Sequence, residues 1–532
     1  MIQPFGEAAL LVEVGDWQRS HALLAALDHE PIVGVVDLVP GMATLLVELD
    51  PSANLEIAAA ELERRLANLP GEAPSGRERV IPTCYGGEFG LDLDDVARLT
   101  GLSSDEVVAS HASAPRRVHL IGFAPGFAYI GDLPEALRVP RLETPRTTTP
   151  PGSVAVAGRQ TGIYPAALPG GWRVIGRTPI RLFDPHRDPP AYLAPGDLVR
   201  FQPILPTALQ AHAGIPADWP GRQEPDSHPS EPSRVQIEVL DGGLLTTVQD
   251  ATGRPGWRRY GVQAAGAADR SAALLANRLA GNPDAAAVLE VTFLGPSLRI
   301  SAPVHVGLAG ADLGATLDGR PLPPGSSGSG RLISFGERRS GARAYVAIAG
   351  GIDVERVLGS PSTDLRSGFG GLAGRALRAG DRLDIGTASG ASRAATGRAA
   401  TGPIRIMPGP HLDRFAPGIL DRLCETAWTV ASQADRMGYR LDGPAVEHNG
   451  TPEVPSVGLP LGAVQVPPDG RPIIMLVDRP VTGGYPVIGC VPAADVCRVA
   501  QLLPGDPLRF ARMGIGEAMT LDADAAWAGA LE

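Results

Sequence analysis

The chain has 532 residues, with 47 arginines and lysines against 58 aspartates and glutamates, a net charge of −11 and 44 % apolar residues. That length exceeds one hydrophobic core and implies three to four domains, while the acidic balance without any basic block argues against nucleic acid or an anionic membrane as partner. Lysine is absent from the sequence, which excludes a Walker-type phosphate loop, a Schiff-base catalyst and covalently attached biotin, and leaves anions to arginine, backbone N–H groups or a metal.

In chain order, "AALLVEV" (8–14) and "ATLLVELD" (43–50) read as strands, and "LEIAAAELERRLANL" (55–69) has helical spacing with Asn54 as N-cap. Residues 1–80 are expected to form a small α+β domain. The start lacks the basic end and apolar core of a signal peptide, and no apolar run reaches membrane length, so a cytoplasmic protein is expected. The four cysteines have no metal spacing, the histidines form no metal signature, and a metal site is not expected.

From residue 81 the texture changes to short apolar runs broken by some of the 66 glycines and 52 prolines, which favours short strands over long helices. A helix is expected at 92–100, then a second in "SSDEVVASHA", with Ser103 and Glu106 forming a capping box. "AADRSAALLANRLAGN" (267–282) is the clearest helix further on, capped by Asp269 and closed by Gly281. Polar, small-residue passages at 213–234 and 387–402 read as linkers.

Two repeats organise the rest. "APGDLVRFQPI" (194–204), "RAGDRLDIG" (378–386) and "LPGDPLRFARM" (503–513) each place Gly-Asp before a final strand. Three mainly-β closed barrels follow from this, at 81–212, 235–386 and 403–532. "RQTGIYP" (159–165) and "RPVTGGYP" (479–486) repeat an Arg-Thr-Gly-Tyr-Pro turn in two of them, as a shared barrel corner or a ligand-facing loop used twice.

Aromatic residues are only 5 % of the chain, yet Phe123, Phe127, Tyr129, Tyr164 and Trp172 crowd into one glycine- and proline-rich stretch. Such residues wall a concave site or pack a barrel corner. "LLTTVQDATGRPGWRRYGV" sets Gln249, Asp250 and Arg254 before a glycine turn, and "STDLRSGFGG" sets Arg366 among glycines. Asp435–Arg436 and Asp478–Arg479 read, on spacing alone, as solvated ion pairs.

At these residues the chain resembles a known family. "GFAPGFAYIGDLP", "PRLETPR", "PPGSVAVAGRQTGIYP" and "PGGWRVIGRTP" resemble subunit 1 of allophanate hydrolase, also described as the B subunit of 5-oxoprolinase. "TTVQDATGRPGWRRYGV", "LANRLAGNPDAAAVLEVTFLGPSL", "DRMGYRLDGP" and "GAVQVPPDGRPIIMLVDRPVTGGYP" resemble its partner, subunit 2 or the C subunit of 5-oxoprolinase. The pair is also similar to the carboxyltransferase region of urea amidolyase. The resemblance implies cyclophilin-like barrels in tandem after the α+β domain. It implies a part in ATP-dependent opening of 5-oxoproline to glutamate, with ATP and Mg2+ as cofactors, a separate hydantoinase-like component as partner and a small amide as substrate. A homo-oligomer is also compatible with it. It implies catalytic roles for Asp250, Arg254, Asp478 and Arg479. Substrate or ATP contacts fall to Phe127, Tyr129, Gln160, Thr161, Tyr164, Trp172, Arg177, Gln249, Arg366, Arg436, Thr482 and Tyr485. Two other roles fit the same motifs: carboxyl transfer to urea or a related amide from an external biotin carrier, and inhibition of a histidine kinase. The chain departs from the family at Ala265, Ala268, Leu168 and Val487, where relatives carry Ser, Met, Ser and Lys.

Overall fold

The architecture is mainly β, with barrel-like sheets in tandem after a small α+β unit, in a computed structural model that describes residues 1–70, 76–221, 235–387 and 401–521. The α+β unit is a four-stranded antiparallel sheet in the order Ile2–Pro4, Ala9–Glu13, Thr44–Leu49, Val35–Pro40. Strand side chains alternate between faces, and both faces of this sheet are buried. Leu10, Val12, Leu38, Leu45 and Val47 pack beneath the helices Trp17–His29 and Leu55–Ala67. Ala9, Leu11, Val39 and Leu46 face the other way and share a core with Val457, Leu459, Met475 and Val487 of the last barrel. The Asn54 cap is in place, accepting from the N–H groups of Glu56 and Ile57. The helix Trp17–His29, capped by Asp16, is not among the elements expected from the sequence; its buried face alternates small and large residues and gives a weak periodic signal.

A closed seven-stranded barrel follows, in the order Gln160–Ile163, Ala128–Gly131, Arg116–Ile121, Leu198–Pro203, Glu78–Tyr85, Arg173–Arg177, Ser153–Ala157. Helices Leu93–Thr100 and Ser104–Ala112 pack against it, the second opened by the Ser103–Glu106 capping box. Barrel packing continues past residue 213: Trp219 is buried, its indole N–H donates to Pro189 O at 3.0 Å, and Asp218 accepts from the Tyr192 hydroxyl. Residues 222–234 and 388–400, in the two segments read as linkers, lie outside the described residues.

In the second half, one sheet runs in the order Leu245–Gln249, Val288–Thr292, Ser340–Ile348, Ser297–Asp312, Gln236–Asp241, Arg382–Ile385, Ile352–Asp353. The helix Arg270–Ala280 lies on it, with Asp269 and left-handed Gly281 at its ends. It approaches closely at Gly307, where a Cβ would stand 2.3 Å from Ala276 O. The final sheet has eight strands, from Pro507–Leu508 to Phe510–Arg512.

The three Gly-Asp repeats are one turn built three times. Gly196, Gly380 and Gly505 have φ of +94°, +91° and +91°, which disfavours any side chain. The aspartates that follow, Asp197, Asp381 and Asp506, each accept from the backbone N–H three residues earlier, at 3.0, 2.7 and 2.8 Å.

Because Leu46 is fully buried in the core between the first sheet and the last barrel, Leu46→Ala should cost about 2–5 kcal/mol. Urea unfolding of the parent and the variant measures this.

Candidate functional site

Two regions gather the sequence-predicted residues. The first is a web of buried arginines and carboxylates where the second half's sheets meet. Arg436 donates to Glu290 at 2.6 Å, to both oxygens of Asp478 at 2.8 and 3.0 Å, and to Gly266 O at 2.7 Å. Glu290 also accepts from the Ala268 N–H and the Tyr345 hydroxyl, and both opposing guanidinium groups, Arg436 and Arg343, hold its carboxyl below the usual range despite burial. Asp478 goes the other way. Burial, with help from the neighbouring Asp364 and Glu290 carboxylates, pushes it up to about 6 in spite of Arg436. The solvated ion pairs expected at Asp435–Arg436 and Asp478–Arg479 are therefore corrected. Arg436, Asp478 and Arg479 are buried, and Arg436 pairs with Asp478 across the two dipeptides rather than with its neighbour, because the turns that carry them lie together, the Asp478 N–H donating to Arg436 O at 2.9 Å.

Asp250 and Arg254 sit beside this web. Asp250 accepts from the hydroxyls of Ser360 and Ser362, both at 2.9 Å, and from the Gly253 N–H at 2.6 Å. Arg254 is fully buried, donates to Val357 O at 3.0 Å and to Ser362 O, and stacks 4.9 Å from the Phe369 ring centroid. Gln249 donates to Thr247 and to Thr363 O. Most polar groups of this corner are engaged by protein, while Gln249 Oε1, Arg254 Nη1 and Asp364 Oδ2 are buried without a hydrogen-bond partner among the described residues. Arg366 is only part-buried and reaches across to the first half, 5.5 Å from the Phe123 ring centroid, with a guanidinium contact to Met437 Sδ.

Arg479 belongs to the joint between the halves. It donates to Leu459 O and to Glu48 of the first sheet, at 2.8 and 2.9 Å. Arg258 meets the same Glu48 at 2.5 Å and also donates to Leu459 O. Asp37, one strand over, accepts from the Gly256 N–H at 2.7 Å. Burial and the nearby Glu48 push the Asp37 carboxyl up to about 7.

The second region is a cavity of about 710 Å3 where the first sheet, the first barrel and a loop of the last barrel converge. Gln160, Trp172, Arg141, Trp17, Met42 and Glu453 are among its lining residues. Alternation along the barrel strands decides which predicted residues reach it. Ala128, Ile130, Val154 and Ile163 point into the barrel core, whereas Phe127, Ala155, Tyr164 and Trp172 cluster on the outside, with Phe123 and Tyr129 packed against them. Phe127, Tyr164 and Trp172 meet edge to face, with centroids 5.1 and 5.8 Å apart. Thr161 points inward; its hydroxyl donates to Ala155 O and meets His111 Nε2. Arg177 lies elsewhere, over Phe89. Thr482 is buried against Gly122, where a Cβ would stand 2.4 Å from its Oγ1. Tyr485 is 37 % exposed beside the Glu453 loop, since the Val454 N–H donates to Gly484 O.

His119, Trp17, Met42 and Arg141 are residues that sequence reasoning misses. His119 and Trp17 stack at 5.0 Å, and burial pushes His119 down to about 4, so it is neutral. Arg141 stands inside "PRLETPR", a motif the sequence does show, but nothing in its spacing singles it out. Among the described residues no group of three or more His, Cys, Asp or Glu is arranged to hold a metal ion, and no helix is long and apolar enough to cross a membrane.

Two family models match the chain: carboxyltransferase domain, subdomain C and D, over residues 1–193, and carboxyltransferase domain, subdomain A and B, over residues 260–512. The first region is 47 % identical over 205 residues to the B subunit of 5-oxoprolinase from Escherichia coli O157:H7, covering 37 % of this chain and 93 % of that one. The second is 38 % identical over 289 residues to the C subunit of 5-oxoprolinase from Escherichia coli K12, covering 53 % of this chain and 93 % of that one. Urea amidolyase of Saccharomyces cerevisiae is 32 % identical over 54 % of this chain but only 17 % of its own length. The crystal structure of TTHA0988 superposes with a TM-score of 0.81 at 36 % identity, covering 96 % of this chain and all of that one. The fold and the paired modules define a carboxyltransferase-domain protein. The chain belongs to the family that includes the B and C subunits of 5-oxoprolinase, and carries a B-like half followed by a C-like half.

None of the four positions where the resemblance implies another residue lines the cavity beside Gln160. Val487 and Leu168 are core residues, and Ala265 and Ala268 wall a separate cavity of about 360 Å3 between the first sheet and the second half.

Replacing Arg436 by Met strands the Glu290 and Asp478 carboxylates in a buried site and should destabilise the chain by about 3–5 kcal/mol; adding Glu290→Gln should recover part of that loss in urea unfolding. Asp37 carries a pH signature. Its folded value, about 7, lies above the unfolded 3.8, so its stabilising contribution is complete below the lower value and lost as pH rises through the upper one. Asp37→Asn should flatten the fall in stability over that interval, read from urea midpoints across it.

Proposed function

We propose that this chain is the fused B–C component of an ATP-dependent 5-oxoprolinase, activating a small cyclic amide for ring opening together with a separate hydantoinase-like component. One observation carries the reading: both halves match 5-oxoprolinase subunits over 93 % of those subunits' lengths, in order, on one chain. A lactam is resonance-stabilised and a poor electrophile. Transfer of the terminal phosphoryl group of ATP to the amide oxygen, releasing ADP, makes its carbonyl carbon open to water.

The residues of this chain divide that work. Arg366, part-buried and facing the first half, offers charge to an anionic group, and Gln160 and Trp172 form walls and contacts for the amide, with Tyr129 packed behind Trp172 and Tyr485 beside the Glu453 loop. Phe127 and Tyr164 hold Trp172 in place. Asp250, Arg254, Arg436, Asp478 and Arg479 act as positioning residues, each locked by protein partners, that set the loops around the cleft. Gln249 is held by Thr247 and Thr363 in the same corner, Thr161 and Thr482 are buried in packing, and Arg177 lies away from the cavity over Phe89. Mg2+ would be held by the nucleotide phosphates with one or two carboxylates, the usual arrangement for this ion.

A second reading, carboxyl transfer to urea or a related amide, has the carboxyltransferase modules and the urea amidolyase match in its favour. It requires a carboxylated biotin on another chain, since this one has no lysine.

The test is ATP hydrolysis by the purified chain with and without a candidate hydantoinase-like component. ADP and glutamate that appear only with 5-oxoproline are the expected result. Their absence in every combination sinks the proposal, and carboxyl transfer from a biotin carrier to urea establishes the second reading.

A further inference from the structure

The geometry points to the cavity between the first sheet and the first barrel as the amide subsite, with Gln160 reading the lactam and Arg141 reading a carboxylate on the same ring. This rests on the function proposed above and names its binding pocket.

Gln160 leaves the barrel strand on the outer face, the same face as Trp172, and both line the cavity. Among the described residues, its carboxamide makes one side-chain hydrogen bond, a weak one from Nε2 to Met42 Sδ at 3.6 Å. A five-membered lactam is held cis, so its N–H and C=O point to one side. A primary carboxamide presents the complementary C=O and N–H side by side and can meet both at once. The indole of Trp172 and the thioether of Met42 offer apolar contact to the ring methylenes.

Arg141 supplies the second point of recognition. It lines the same cavity, is exposed, and takes part in no ion pair or side-chain hydrogen bond among the described residues. The cavity's other arginine, Arg159, is already paired with Asp132 at 3.3 Å. A guanidinium fork with no partner is suited to a carboxylate, which it holds bidentately.

The charge balance selects between anions. Two arginines, Arg141 and Arg159, stand against three carboxylates, Asp16, Asp132 and Glu453, and His119 is neutral. That excess of negative charge disfavours a triphosphate several-fold more than a ring with a single carboxylate, which needs only the one guanidinium of Arg141 to offset it.

The experiment uses the full chain with its hydantoinase-like component and measures ATP-dependent turnover of 5-oxoproline. Arg141→Gln and Gln160→Leu should each raise KM at least about tenfold, as loss of a charged or paired hydrogen bond predicts. Arg141→Lys should recover part of that rise, and melting temperatures should stay at the parent value. KM for ATP should not move. Folded variants whose KM for 5-oxoproline stays within about threefold of the parent overturn the pocket assignment and leave the proposed function standing. A parent chain that turns over no 5-oxoproline overturns both.

Discussion

Arginine buried away from water depends on carboxylates and carbonyls inside the protein to offset its lost hydration, and this chain buries several. Arg436 spans from Glu290 to Asp478 and so ties one sheet of the second half to the other. Arg258 and Arg479 converge on Glu48 and tie both to the first sheet. Removing either guanidinium or carboxylate from such a pair leaves an uncompensated charge, a larger penalty than the pair's own net contribution. The interfaces are therefore fixed in register by charge, while the area that holds them together is apolar, from Leu46 and Val39 against Val457 and Leu459.

That constraint explains where the cavity is. The first sheet has helices on one face and the last barrel on the other, which leaves the Asp16-capped start of the helix Trp17–His29 and the Met42 loop at the margin of the first barrel. The barrel contributes Gln160 and Trp172 from its outer face, and the loop paired to the "RPVTGGYP" turn brings Glu453. The first of the two related turns thus lines this space, whereas the second reaches it only through the Glu453 loop, and they differ in role. In one, Gln160 lines the cavity directly. In the other, Thr482 is buried against Gly122 and Arg479 serves the joint with Glu48.

Much of the site is visible in the sequence as composition but not as geometry. Gln160 and Trp172 stand in a segment already marked by its aromatics, and both line the cavity. Thr161, one residue along the strand from Gln160, points into the barrel interior, because strand alternation sends neighbours to opposite faces. Arg141, Met42 and His119 have no local signal, since each depends on contacts made by segments distant in sequence. The dipeptides Asp435–Arg436 and Asp478–Arg479 look like surface pairs for the same reason: adjacency in sequence says nothing about which residue lies opposite across a sheet.

By itself the sequence determined the local devices. Asn54, Ser103, Glu106 and Asp269 cap their helices because short polar side chains reach the free N–H groups of the first turn. The three Gly-Asp turns form because glycine accepts positive φ and aspartate accepts from the backbone three residues back. Long, ordered motifs identified both halves of the family. Tertiary structure alone decided which charges are buried, which aromatics pack rather than bind, and that three separate segments enclose one cavity. Those outcomes turn on long-range burial, where desolvation and pairing depend on residues hundreds of positions away, and no local pattern encodes that distance.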